Sequence, residues 1–286
     1  MMDLLQLNKF SNLHNNKNIF FCKTDFLKAE FKTIQKLKNE VVLISGNSDI
    51  NIDSTFISLI PDNIITWYCQ NNLVYHDKLR SIPIGLENTF PSKRKGHGVA
   101  WPHAKQKIKL LNEISDNIKQ QEPSKLLYAN FNIQTNIEHR SRIKEICARA
   151  EFITLDEPNL DYVTFIDRVL QHEATICPTG NGIDTHRIYE VLYCDRIPVI
   201  IKNGDYPVYT DIYDHLPIVI LKNTDQLTDA EKLQDLISKA KEKAVKPELL
   251  DFQYWQKLIS AEARDITAHK MGFFENLFKY KARFQQ

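Results

Sequence analysis

Short runs of β-branched and aromatic residues, each closing on a Gly/Asn/Asp/Ser loop and followed by a stretch of helical spacing, recur along this chain of 286 residues. Residues 18–22 form the first run, and residues 25–38 after it carry helical periodicity. Val41-Val42-Leu43-Ile44-Ser45 closes on Gly46-Asn47-Ser48-Asp49, and Ile64-Ile65-Thr66-Trp67-Tyr68 closes on Gln70-Asn71-Asn72. Residues 79–84 approach Gly85-Leu86-Glu87-Asn88 in the same way. Strand, polar loop, helix is the signature of a parallel α/β sheet whose chemistry gathers at the strands' carboxyl ends. Gln121-Glu122-Pro123-Ser124 interrupts the series, which then restarts with strands predicted near 125–130, 152–155, 174–177, 197–201 and 218–221. The pattern predicts two Rossmann-like lobes with a cleft between them, residues 1–122 and 123–255. A helical tail, reading as helix from Thr228 onward, supplies a last segment, 256–286.

Composition narrows the function classes. A net charge of +1 without a dense basic block argues against nucleic-acid binding. Five cysteines, odd in number and unclustered, fit reduced thiols in a cytoplasmic protein, and none has the C-x-x-C spacing of a metal site. Neither a signal peptide at the first residues nor a membrane-spanning apolar stretch is expected.

The richest run is Cys177-Pro178-Thr179-Gly180-Asn181-Gly182-Ile183-Asp184-Thr185-His186-Arg187-Ile188-Tyr189-Glu190, set between two apolar runs. A glycine-rich turn opening a helix offers backbone N–H groups to an anion. Arg187, one turn in, can reach the same phosphate, and Glu190 beside it suits the two hydroxyls of a ribose. The alternative is a plain turn followed by a surface salt bridge at i, i+3. The spacing excludes a P-loop and a cysteine-phosphatase loop, and no G-x-G-x-x-G follows a predicted strand.

The span 175–192, closed by Ile197-Pro198-Val199-Ile200, resembles the donor-binding signature of exostosin-like glycosyltransferases. His76-Asp77-Lys78-Leu79 through Asn88, and Leu127-Tyr128-x-Asn130-Phe131-Asn132 followed by Arg140, are similar to stretches of bacterial members. Tyr189 stands where tryptophan is often found, and Cys194-Asp195-Arg196 where glycine is usual. The resemblance implies a GT-B-like fold with a nucleotide-sugar on the second lobe and a glycan or lipid-linked glycan acceptor on the first. It implies transfer in bacterial surface polysaccharide synthesis, capsule or lipopolysaccharide, without a metal or other cofactor. The absence of an Asp-x-Asp clamp agrees with the last point.

Residue roles follow from the chemistry of glycosyl transfer, which must stabilise a leaving diphosphate and deprotonate an acceptor. Arg187 and the backbone of Gly180, Asn181 and Gly182 would hold the diphosphate, assisted by Arg140 or Arg142, with Glu190 on the ribose by resemblance. Asn132 and Asp184 either help around the phosphates and sugar or cap helices. Asp49 and Glu87, at strand carboxyl ends of the first lobe, are the candidate bases, with His76 third. The loop from Lys93 to His103 either covers the cleft or is a solvated surface loop. The tail's Lys270, Phe273, Phe274, Phe278, Lys279, Tyr280, Lys281 and Arg283 either pack across the lobes, meet another copy, or rest peripherally on the inner face of a membrane. A nucleotide-binding module without transferase activity is the rival from another class; a hydrolase lacks its nucleophile or metal cluster.

Overall fold

The computed structural model describes residues 2–115 and 122–264. Two parallel sheets form its frame. The first runs β1 (Ile19–Lys23), β2 (Val41–Gly46), β3 (Ile64–Cys69) and β4 (Leu79–Ser81) in simple sequential order. The second contains β5 (Lys125–Ala129), β6 (Ile153–Leu155), β7 (His172–Ile176), β8 (Ile197–Ile201) and β9 (Val219–Leu221), in the order β6-β5-β7-β8-β9. The α/β class with two Rossmann-like halves is thus the observed architecture.

The strand orders have different consequences. Right-handed crossovers place helices on one face of a sheet wound in a single direction. On that face of the first sheet, Phe20, Cys22, Val41, Leu43 and Trp67 pack with Leu27, Phe31 and Ile34 of α1 (Leu27–Ile34), and Phe56 of α2 (Ser54–Ile57) lies against them. The alternate residues Phe21, Val42, Ile44 and Tyr68 point to the other face, as the two-residue period of a strand requires. No crossover covers that face, so distant parts of the chain do. Phe10 comes from a 3-10 helix near the amino end, and Trp255, Ile259 and Ala263 come from a helix over residues 252–264. The Tyr68 hydroxyl donates to Glu262 at 2.8 Å, and the Asn18 amide donates to the Ala263 carbonyl at 2.8 Å.

The second sheet is doubly wound. Its order reverses between β5 and β7, where the chain leaves β5 for β6 on one side and β7 lies on the other. Helices cover both faces: α4 (Ile137–Cys147), α5 (Tyr162–Gln171), α6 (His186–Tyr193), the short α7 (Pro207–Asp211) and α8 (Ala230–Glu242). An earlier helix, α3 (Ala104–Ser115), precedes this half and lies against α6. Side-chain caps mark several starts: Asn136 accepts from His139 N–H, Asp161 from Thr164 and Asp229 from Lys232. Asp195, in the turn where glycine is usual, takes a left-handed conformation at φ 52°, which Asp tolerates better than most residues.

The expected continuous helix from Thr228 is corrected. α8 ends at Glu242, Pro247 opens a separate 3-10 turn at Pro247–Leu250, and helix resumes at residue 252. Proline cannot donate to the preceding turn, so the break is where the chain dictates it. The tail positions Lys270, Phe273, Phe274, Phe278, Lys279, Tyr280, Lys281, Arg283 and Phe284, and with them the membrane contact, lie outside the described residues.

Trp255 carries much of the cover over the first sheet, being 4% exposed and edge-on to Tyr68 at 6.2 Å. Trp255→Ala should cost about 3–5 kcal/mol in urea unfolding. A loss under 1 kcal/mol would mean that this helix does not seal the sheet.

Candidate active site

Ligands of doubly wound sheets bind where the strand order reverses, in the crevice outside the carboxyl ends. Here that crevice is bounded by Asn130, Phe131 and Asn132 after β5 and by Pro178 after β7. It holds a cavity of about 240 Å³, whose walls also include Arg140, Thr185 and Arg187.

Arg140 stitches the crevice together. Its Nε donates to Thr179 O at 2.9 Å, Nη1 to Asn132 O at 2.7 Å and Nη2 to Pro178 O at 2.9 Å. No carboxylate pairs with it among the described residues. Burial, and then the neighbouring charge of Arg187, pull its guanidinium down to about 10, so it remains protonated at neutral pH. Arg187 lies over the Phe165 ring at 3.8 Å, donates from Nη1 to Asn130 O at 2.9 Å and pairs through Nε with Glu190 at 3.2 Å. Its Nη2 makes no hydrogen bond within the described residues. The Thr185 hydroxyl is buried without a partner among them.

Several expected ligands are placed differently. Glu190 is 5% exposed, with one oxygen on Arg187 and the other 3.4 Å from Lys107 of α3. The carboxylate expected on the ribose is thus engaged by Arg187 and Lys107 in this structure. Lys107 also pairs with Glu87 at 2.7 Å, and His103 lies 3.1 Å from the same oxygen. Burial works to raise the Glu87 carboxyl, but Lys107, His186 and His103 together hold it below the usual range. An ion-paired carboxylate of this kind is a weaker proton acceptor than a free one.

Part of the glycine turn is engaged in packing. Gly180 N–H donates to Gly182 O at 3.1 Å, and Gly180 O accepts from Asn136 at 3.2 Å. A methyl group on Gly182 would lie 2.5 Å from the Asn71 amide nitrogen, so glycine is needed for the close approach to the first half. Asn181 donates to Asp49 at 3.1 Å.

Asp184 neither caps α6, whose N-cap is Thr185, nor opens to the cavity. Its buried carboxylate accepts from the hydroxyls of Tyr189 and Tyr213, at 2.9 and 2.7 Å, and from Ile84 N–H at 2.6 Å. Its own N–H donates to Asn71 Oδ1 at 3.1 Å. Asn132 does act as a cap, accepting from Gln134 N–H at 2.9 Å while its carbonyl serves Arg140. Arg142 points away to an exposed pair with Asp225.

A second cavity, about 510 Å³, opens at the carboxyl end of β2. Asp49 lies in its wall, with Asp25, Asn47, Asn88, Trp101 and, from α6, His186. The 93–103 loop helps to build it: Asn47 donates to His97 O, and the Asn8 amide donates to Phe90 O and Val99 O. His76 lines a different, shallower cavity with Tyr75, Arg80 and Asp211. Sequence reasoning missed Thr185 and His186, although both lie inside the recognised run. It also missed Phe165 and Lys107, which reach Arg187 and Glu190 only through folding.

No family model matches the chain and no curated protein sequence does, so the exostosin-like resemblance stands on the quoted residues alone. Among solved structures, the chain is similar to an α1,3-fucosyltransferase with GDP-fucose at 13% identity and a TM-score of 0.39, covering 87% of this chain and 90% of that one. It is similar also to the pneumococcal O-GlcNAc transferase GtfA in complex with UDP and GlcNAc at 13% identity and a TM-score of 0.34, covering 95% of this chain and 59% of that one. Likenesses at these scores bear on no residue's role.

Asp184 yields a pH prediction. Burial pushes its carboxyl up to about 6, against the pull of Tyr213, Ile84 N–H and Tyr189. The folded state therefore holds this proton more tightly than the unfolded chain, whose value is near 4. That contribution is full below the unfolded value and is lost as pH rises through about 6. Wild-type stability minus that of Asp184→Asn should fall by roughly 2–3 kcal/mol from pH 4 to 7 in urea titrations. A difference independent of pH would show that burial does not raise this carboxyl above its unfolded value.

Proposed function

We propose that this chain is a glycosyltransferase that takes a nucleotide-sugar in the β5–β7 crevice and an acceptor in the cavity of the first half. One observation carries the reading: two guanidiniums share the switch-point crevice and one of them has no carboxylate partner among the described residues. Like charges brought together in a partly buried site repel, and a bound diphosphate would relieve that cost while satisfying Arg187 Nη2 and the Thr185 hydroxyl. The resemblance to exostosin-like enzymes supports a sugar on that diphosphate and a role in a bacterial surface polysaccharide such as capsule or lipopolysaccharide.

The residues define a division of labour. Arg187 would neutralise charge on the departing diphosphate, its guanidinium clamped by Glu190, Asn130 O and the Phe165 ring. Arg140 would hold the two crevice loops at fixed separation and add its charge. Electrostatic stabilisation prepared in advance is worth most where water is excluded. The positive charge comes from side chains, so transfer should persist in EDTA.

The occupied Glu190 favours a second reading, a nucleotide-binding module without transfer. A thermal-shift panel of nucleoside diphosphates and nucleotide-sugars, followed by an assay of donor breakdown, separates the two. Stabilisation by at least one nucleoside diphosphate is expected, and failure of all would remove the glycosyltransferase reading. Binding without donor breakdown would favour the module. Arg187→Ala should weaken nucleotide binding at least tenfold and cost about 2–4 kcal/mol of transition-state stabilisation. Unchanged binding with only a lower melting temperature would reduce Arg187 to a structural ion pair.

A further inference from the structure

We propose that His186 is the general base, taking the proton of the acceptor hydroxyl at Nε2; the inference rests on the glycosyltransferase reading above. Its placement is the first ground. Thr185 and Arg187 line the switch-point cavity, whereas His186 between them lines the cavity of the first half. Successive residues on a helix diverge by about 100°, so the opening turn of α6 presents Arg187 to one cavity and His186 to the other. A group that must meet an acceptor oxygen as it approaches the donor's anomeric carbon belongs at such a boundary.

The second ground is the tautomer. His186 Nδ1 lies 2.7 Å from the Gly85 carbonyl oxygen, which can only accept a hydrogen bond. The proton of the neutral ring is therefore on Nδ1, leaving the lone pair on Nε2. Gly85 is held at φ 65°, and a methyl group there would lie 2.3 Å from the Leu5 carbonyl oxygen. The orienting carbonyl is thus fixed by a backbone conformation that glycine permits.

Charged groups face His186 from several elements. Glu87 and Asp184 both lie within its electrostatic reach, and Asp25, Asp49 and Lys23 share the cavity wall. The rival carboxylates are engaged elsewhere: Glu87 with Lys107, Asp184 with two tyrosines and a backbone N–H, Asp49 with Asn181. In the step, the acceptor O–H bond breaks and its proton passes to Nε2. The acceptor oxygen bonds to the anomeric carbon. The bond from that carbon to the phosphate oxygen breaks, its electron pair leaving with the nucleoside diphosphate toward Arg187. The imidazolium then returns its proton to solvent.

The test uses the whole chain with a panel of UDP-, GDP- and TDP-hexoses, water serving as acceptor, and reads release of nucleoside diphosphate. His186→Asn retains an amide able to donate to Gly85 O and removes the Nε2 base. It should bind the nucleoside diphosphate within about threefold of wild type while release falls at least 100-fold. His186→Ala should be partly restored by added imidazole, and Asp49→Asn should keep more activity than His186→Asn. Release by His186→Asn within fivefold of wild type, or a greater loss in Asp49→Asn, would overturn the assignment and leave the transferase reading intact. No release by wild type from any donor would overturn both.

Discussion

The carboxylate of Asp184 is the point on which the relation of the two sheets depends. Burying an anion costs several kcal/mol unless donors replace water. Here the donors come from both sides of the molecule: Tyr189 and Tyr213 from the second half, and Ile84 N–H from the segment after β4. Removing any one of them would leave the charge partly bare, so the arrangement is held as a unit. The Asp184 N–H on Asn71 adds a second tie within the same residue. Since Asp184 immediately precedes the turn into α6, these ties fix the helix start against the first sheet, and with it the directions of His186 and Arg187.

Charge is distributed around that fixed point in an alternating string. Arg187, Glu190, Lys107, Glu87 and His103 follow one another at salt-bridge distance, running from the crevice of the second half through α3 to the loop after β4. Most of these groups are partly or wholly buried, so their partners are needed to offset desolvation more than to add net stability. Arg140 stands outside the string: among the described residues its hydrogen bonds go to carbonyl oxygens, and its guanidinium lies 5.9 Å from the Phe131 ring centroid. Carbonyl dipoles stabilise a guanidinium without neutralising it. The excess positive charge at the crevice is thus a property of the resting molecule.

Much of the frame was legible in the sequence because it rests on local chemistry. The runs at 41–45, 64–68 and 197–201 have no competing helical period, and the Gly/Asn/Asp loops after them mark strand ends. That Arg140 and Arg187 would meet in one crevice was legible for the same reason: each follows a strand-loop unit of the second half. What was not legible was who would occupy Glu190, Gly182 and Asp184. Their partners are Lys107, Asn71 and Ile84, each more than 70 positions away, and no period or spacing encodes such a pairing. The break at Pro247 was visible as a proline but was outweighed by the helical composition on either side. The tie to Asp49 was hidden likewise, since Asn181 reads as an ordinary turn residue.

The two strand orders explain why the site needs both halves. A doubly wound sheet makes its own crevice where the order reverses, and the second half uses that crevice for Arg140 and Arg187. The first sheet runs without reversal, so it has no switch point of its own. Its cavity must instead be walled by the loops after β1 and β2, the 84–101 segment, and a residue donated from α6. The donated residue is His186, and its neighbours in sequence face the other cavity. A single helical turn, anchored by one buried carboxylate, therefore borders both cavities. Any movement of α6 relative to the first sheet would have to break the Asp184 contacts, so a residue that ties the two halves also helps to set the separation between the two cavities.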